Sequence, residues 1–288
     1  MPLFSIIIPT YNHAHLIGKC LQSLIDQTYQ NWEAIIVNNY SDDNTVDVVE
    51  SFSDSRLKLI SFHNKGVIAA ARNEGIRKTR GDWIAFLDSD DWWYPTKLSQ
   101  VLPWLKENDV IYHNLDVHTP RGKGWRTIKG RNFLSPVFED LLTKGNQMPN
   151  SSVVVRKSLV EEVGGLSEDP NLFAIEDYDL WLRVSKISEK FHYLNQSLGA
   201  YWVGGSNYSK ANRKSIERIK CLYSLHMPDL PEKLYDSANA LLNYIVTRER
   251  MICGDKFLLF DFLRTIRSLK RGRFIFNSLV FGILSIFK

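Results

Sequence analysis

The stretch Trp83-Ile84-Ala85-Phe86-Leu87 runs directly into Asp88-Ser89-Asp90-Asp91, and its reading decides the fold. An apolar run this short, ending in carboxylates, reads as a strand buried on both faces that delivers acids to the rim of a sheet. In open α/β sheets, ligands bind outside the carboxyl ends of the strands. Two aspartates one residue apart can share a divalent cation, and such a cation can hold a diphosphate. The competing reading is an Asp-rich turn capping a helix that starts near Pro95, since aspartate favours caps and turns.

On the amino-terminal side the pattern alternates. Phe4–Ile8, Ala34–Val37 and Leu57–Ser61 read as strands, separated by helices over Leu16–Gln27 and Thr45–Phe52. Ile68–Thr79 is an alanine-rich helix closed by Gly81. This rhythm predicts a mostly parallel central sheet flanked by helices. Beyond Asp91, Leu98, Val101, Leu102 and Leu105 form one helix face that Pro103 should shorten. Strands are expected at Val110–Asn114, Ser152–Val155 and Leu198–Val203, and a helix over Asp177–Val184. His118 to Arg131 is basic and glycine-containing, and reads as a loop or hairpin over a site. From about Lys214 onward the chain looks helical.

Composition excludes several classes. Three widely separated cysteines, Cys20, Cys221 and Cys253, argue against a disulfide framework and a zinc site. The formal charge of +4 is uneven: seven Lys or Arg stand against two Asp between Cys253 and Lys288, leaving −1 for the rest. Basicity is thus a property of the tail, and nucleic acid is not expected as a partner. The amino terminus has no basic segment followed by an apolar core, so a cytoplasmic location is expected.

Five motifs then occur in order: Ile6-Ile7-Ile8-Pro9-Thr10-Tyr11-Asn12; Asn64-Lys65-Gly66 with Ala70-Ala71-Arg72-Asn73-Glu74-Gly75; Asp88-Ser89-Asp90; Asn150-Ser151-Ser152 through Gly164-Gly165-Leu166; and Glu176-Asp177. The ordered set, over roughly residues 3–210, resembles the family 2 glycosyltransferases of bacterial surface-glycan synthesis. The resemblance implies the GT-A nucleotide-sugar-binding fold. A catalytic domain is expected over 1–213, with a nucleotide-sugar half at 1–115 and an acceptor half at 116–213, followed by a helical region at 214–288.

The same resemblance assigns roles. Pro9, Thr10, Tyr11, Asn39, Arg72 and Asp88 are expected at the donor. Pro9 cannot donate a ladder bond and should help to end the strand. That leaves the ring of Tyr11 free to stack on a nucleobase, a contact worth about 1–3 kcal/mol, or to pack the turn. Arg72 is placed to meet a base carbonyl or phosphate, and Asn73 to fix a loop. Asp90, with Asp88, is implied as the ligand set for Mg²⁺ or Mn²⁺, which suit all-oxygen sites. Asp177 is implied as general base, giving a single displacement with inversion; a helix N-cap is its structural alternative. Glu176 and Trp93 are expected on the acceptor side, Trp93 with core packing as its alternative, and Asp91 as a helix cap. Trp181 reads as core.

There are departures. Asn38 and Asn39 stand where the family usually carries two aspartates, and Tyr40 where it has a glycine. An amide at Asn39 permits uracil without demanding it. Trp202 and Gly204 replace an arginine and a histidine common in relatives. These departures motivate a second reading, a catalytically silent nucleotide-sugar-binding or scaffold protein. No glycine-rich triphosphate loop follows the first strand, which argues against nucleotidyl transfer. Glycoside hydrolysis would need two carboxylates flanking one bond. The first reading is a hexosyltransferase that moves a sugar from a nucleoside-diphosphate donor to a hydroxyl of a lipid-linked or polysaccharide acceptor, as in lipopolysaccharide or capsule synthesis. In the tail, a cationic amphipathic stretch at 257–269 precedes an apolar segment at 274–287, too short to cross a bilayer. It suits an anionic membrane surface, peripheral on the cytoplasmic face of the inner membrane, with packing on protein as the alternative.

Overall fold

The computed structural model of the protein describes residues 3–204 and 213–255. The expected membrane-associating tail therefore lies outside the described residues. No helix among the described residues is long and apolar enough to cross a membrane.

The amino-terminal half builds β1 (Phe4–Thr10), α1 (Ala14–Ile25), β2 (Trp32–Asn38), α2 (Thr45–Glu50), β3 (Leu57–Ser61), α3 (Ile68–Arg77) and β4 (Trp83–Phe86). Its strands are parallel and lie in the order β3-β2-β1-β4. Successive residues face opposite ways. Ile7, Ile35, Val37, Ile84 and Phe86 enter one core, while Ile6, Ile8, Ala34, Ile36, Ala85 and Leu87 enter the other. Both faces are apolar because helices cover both. Gly75 lets α3 lie against the sheet, since a Cβ there would stand 2.9 Å from Ile7 Cγ2 and 3.2 Å from Val37 Cγ2.

The other half builds β5 (Trp92–Trp93), α4 (Lys97–Val101), β6 (Val110–Thr119), β7 (Gly122–Ile128), α5 (Val137–Lys144), β8 (Val154–Arg156), α6 (Lys157–Glu162), α7 (Glu176–Ser185) and β9 (Phe191–Trp202). The expectation of a mostly parallel sheet holds for β1 to β4 and stops there. Strand β8 enters antiparallel between β4 and β6, while β6 and β9 are again parallel. Two reversals restore direction, so β6 ends on the same rim as β4. The sheet is mixed, and helices α4 to α7 lie in the connections between its central strands. As expected, Pro103 ends α4 early, and Leu102–Trp104 continues as a single 3₁₀ turn. Helices α5 and α6 have no counterpart in the sequence reading.

Two carboxyl-terminal helices follow, α8 (Arg213–His226) and α9 (Tyr235–Ile252). Ile219, Leu222, Tyr223, Leu230 and Ala238 share the core that covers the α3 face of the sheet. Buried polar contacts fix this packing: Tyr223 donates to Leu142 O at 2.9 Å, and His226 Nε2 meets Asp179 Oδ1 of α7 at 2.9 Å.

Candidate active site

The chain steps from β1 outward to β3 and then returns to place β4 on the other side of β1. The loops after β1 and β4 therefore diverge, leaving a crevice at the point where strand order reverses. Tyr11 to His13 lie on one side of it and Asp88 to Asp91 on the other.

Pro9 does not end β1. It pairs with Val37, and Thr10 pairs with Asn38. The reason is directional: Ile7 O receives Leu87 N–H on the β4 side, whereas Thr10 O receives Asn39 N–H on the β2 side. Pro9, two residues after Ile7, turns its missing donor toward β4, whose pairing with β1 stops at Ile7 opposite Phe86. No ladder bond is lost. Tyr11 follows at the rim, 44% exposed, with its hydroxyl 3.3 Å from Asp42 Oδ2.

The two asparagines that replace carboxylates hold loops. Asn38 Oδ1 accepts from Ser41 N and Oγ at 3.1 and 2.7 Å. Asn39 Oδ1 accepts from Asn64 N at 3.0 Å, which ties the β2 loop to the segment before α3. Tyr40, where a glycine was expected, has φ of 52° and so occupies the left-handed region.

Arg72 departs most from expectation. It is the fifth residue of α3, only 4% exposed, and its guanidinium is committed to protein carboxylates. Nη2 lies 2.7 Å from Asp88 Oδ1, and Nη1 pairs with Glu176 of α7. Burial opposes the charge, but Asp88 and Glu176 outweigh it and keep the guanidinium protonated. A single side chain thus joins the two acidic motifs. Asn73 performs the loop-fixing role expected of it. Its Oδ1 accepts from Leu166 N and its Nδ2 donates to Leu166 O, both at 2.9 Å.

Glu176 and Asp177 open α7, where unpaired backbone N–H groups favour acids. Glu176 is 4% exposed and serves as the counter-ion of Arg72, so its carboxylate points into the protein. Asp177 is not the cap, a place taken by Ile175; its Oδ1 accepts from Tyr178 N at 2.8 Å. Burial, reinforced by Glu176 and opposed by Arg72, raises the Asp177 carboxyl to about 7. Such a group is half ionised at neutral pH and can exchange a proton readily.

Of the acids after β4, Asp90 is pushed up to about 7 by burial and by the neighbouring Asp88. Ser89 shares a 2.6 Å hydrogen bond with His13 Nδ1, which closes the crevice across the switch point. Sequence reasoning missed this pair, because nothing in the spacing of residues 13 and 89 marks it. Asp91 does not cap a helix: it is 1% exposed and its Oδ1 accepts from Trp202 N at 2.9 Å, anchoring the end of β9. Trp93 does not line the crevice either. It is 2% exposed, and its indole N–H donates to Ser151 O at 2.7 Å within the core. Trp181 is fully buried against Phe86, as expected.

The donor chemistry of the rim fits a hard divalent cation. Asp88 and Asp90 supply carboxylate oxygens, and among the described residues no group of three His, Cys, Asp or Glu is close enough to complete a protein cage. That leaves coordination positions for phosphate oxygens and water, the way magnesium is commonly held. Burial first, and the neighbouring Asp88 second, raise the Asp90 carboxyl, and a cation bound there would favour its ionised form.

Comparison with known proteins agrees with this geometry. The family model for glycosyl transferase family 2 matches residues 5–161. Escherichia coli WfgD, a UDP-Glc:alpha-D-GlcNAc-diphosphoundecaprenol beta-1,3-glucosyltransferase, is 34% identical over 191 residues, covering 64% of this chain and 70% of that protein. TuaG of Bacillus subtilis, named as a teichuronic acid biosynthesis glycosyltransferase, is 26% identical over 225 residues, covering 77% and 87%. Among solved structures, Staphylococcus aureus TarS 1-349 in complex with UDP-GlcNAc superposes with a TM-score of 0.65 at 17% identity, covering 92% of this chain and 81% of that one. Mannosyltransferase PcManGT of Pyrobaculum calidifontis, in complex with GDP-Man and Mn2+, gives 0.64 at 16% identity, covering 99% and 84%. These two likenesses bear on the fold alone, and the fold is GT-A. With its family model matched across both the β1 and β4 rims, the chain belongs to glycosyl transferase family 2 and is a glycosyltransferase enzyme.

Proposed function

We propose that the protein is an inverting, divalent-metal-dependent hexosyltransferase that moves a sugar from a UDP-sugar to a hydroxyl of a lipid-linked or polysaccharide acceptor in surface-glycan synthesis. The observation that carries this reading is the Arg72 bridge. One guanidinium holds Asp88, of the Asp88-Ser89-Asp90 motif, and Glu176, next to Asp177. On this reading, one side chain spaces the acid at the donor's phosphate end from the acid next to the general base.

In this reading Tyr11 carries the base by ring contact, next to the main chain of Pro9 and Thr10. Asn39, its carbonyl engaged by Asn64 N–H, turns its amide N–H toward a carbonyl of the base. Asp90 and Asp88 would hold the cation, which would supply positive charge against the diphosphate leaving group. Asp177, raised to about 7 by burial, takes in its ionised form the proton of the acceptor hydroxyl while the hydroxyl oxygen attacks the anomeric carbon and the nucleoside diphosphate leaves. One base on the face opposite the leaving group gives a single displacement and inversion. The E. coli relative's name supports a UDP donor and a lipid-diphosphate acceptor.

The test is a thermal-shift panel of UDP, GDP, CDP and dTDP with and without Mn²⁺, since ligands that bind the native state raise its stability by mass action. A shift for UDP that needs Mn²⁺ and disappears in Asp90→Asn is expected. An equal shift in Asp90→Asn would remove Asp90 from the metal site.

A further inference from the structure

The basic segment after β6 folds as a hairpin whose second strand does not match the first. His118 pairs with Lys123 and Asp116 with Thr127, so the single Val117 faces three residues, Gly124, Trp125 and Arg126. The extra length bows β7 outward, and bulges of this kind re-aim side chains. The side chain re-aimed here is Trp125, which is 97% exposed. No aspartate or glutamate occurs from 117 to 138, whereas Arg121, Lys123, Arg126, Lys129 and Arg131 do. Arg121, Arg126 and Lys129 are exposed on the same segment, as is Lys123, whose Nζ pairs with Asp116 at 2.6 Å. Near the turn of the hairpin, Val203, 40% exposed, donates its N–H to His118 O at 2.8 Å.

We propose that this hairpin docks the enzyme on an anionic lipid surface, with Trp125 entering the headgroup region and the exposed cations of its segment meeting lipid phosphates. An indole prefers an environment with one apolar and one wet side. Arginine and lysine near an anionic leaflet add attraction that decays within a Debye length. A neutral sugar platform would account for the ring and leave the charge unexplained. Topology supplies the purpose. Strand β6 runs in the same direction as β4, because β8 is antiparallel to both. The hairpin therefore rises from the rim that carries Asp88 and Asp90. His118, one pair before the turn, stacks edge-on against Trp92 at 4.7 Å, one residue past Asp91. A surface gripped by Trp125 brings this rim down to the level where a lipid-linked acceptor presents its sugar. The inference adds a partner to the proposed acceptor class, and its test is independent because vesicle binding needs no donor.

The experiment is flotation of the full-length protein with vesicles of phosphatidylglycerol in phosphatidylcholine, compared with pure phosphatidylcholine. Wild type should float with the anionic vesicles and be released by high salt. Trp125→Ala should weaken binding several-fold, and Arg121→Gln with Lys129→Gln by about fivefold per cation removed. Both variants should keep the wild-type UDP and Mn²⁺ thermal shift, which reads the fold and the donor crevice. Unchanged flotation of Trp125→Ala would overturn the proposal and place any attachment elsewhere in the chain. So would a wild type that ignores anionic vesicles. So too would a Trp125→Ala variant that loses binding to soluble oligosaccharide while floating normally, which would make the ring a glycan platform.

Discussion

Replacing Asp177 with asparagine should make the protein more stable and nearly inactive. The Asp177 carboxyl lies at about 7 in the folded protein against 3.8 for the unperturbed group. At ~1.4 kcal/mol per tenfold change in proton affinity, the difference between 3.8 and about 7 means that holding the charged form in the fold costs about 4 kcal/mol at pH 8. Partial contact of the side chain with the crevice trims that figure. The sign follows from linkage. A carboxyl whose folded value is raised binds its proton more tightly in the native state, so its contribution falls as pH rises from about 4 through 7 and is flat outside that window. Asparagine matches the shape, keeps the bond from Tyr178 N–H to its carbonyl oxygen, and does not ionise. Urea denaturation without metal or donor, from pH 5 to 8.5, should show Asp177→Asn more stable than wild type. The gap should widen by about 2–3 kcal/mol between pH 5 and 8. Transfer should drop by about 10²–10⁴ with a donor thermal shift that is retained, and wild-type activity should rise with pH through a limb near 7. A gap that stays constant with pH, or narrows, would refute the claim that burial raises this carboxyl. Activity equal to wild type would remove it as the base.

Three further outcomes follow from particular contacts. Arg72→Met leaves the carboxylates of Asp88 and Glu176 unneutralised, and should destabilise the protein by about 3–5 kcal/mol in urea denaturation; a loss below 1 kcal/mol would show that the bridge does not hold the two motifs. Tyr40→Gly relieves a φ of 52° at an exposed site, which outweighs the greater freedom of glycine when unfolded, so stability should rise by up to about 1 kcal/mol; a lower Tm would refute strain there. Gly75→Ala places a methyl 2.9 Å from Ile7 Cγ2, and the shift of α3 off the sheet should cost about 1–3 kcal/mol.

The amino-terminal half was legible because its signals are local. Apolar runs at Phe4–Ile8, Ala34–Val37 and Trp83–Leu87 are short and bounded by turn residues, which reads as strands covered on both faces, and α1 repeats its apolar positions at helical spacing. Asn73 was legible as a loop-fixing side chain for the same reason: its neighbours define the motif. Helix α5 was not seen, since the apolar face of Val137–Lys144 is short and Pro136 and Gly145 frame it as loop. The antiparallel entry of β8 was also hidden. Strand direction is set by which partners are left unpaired elsewhere in the sheet, and three residues of β-branched sequence carry no arrow.

By itself, the sequence determined the class of fold, the family and the identity of the acids at the rim, because each depends on residue order and on periodicity along one chain. Only the tertiary structure decided what those residues do to one another. It turned Arg72 from a free cation into a bridge, Glu176 into its buried partner, Asp91 into an anchor for Trp202, and Trp93 into core. It also thrust Trp125 into solvent through a mismatch of two strands. Charge pairing and burial are relations between residues 16 to 111 positions apart. Their energies depend on distance and on exclusion of water, and those two quantities exist only once the chain has folded.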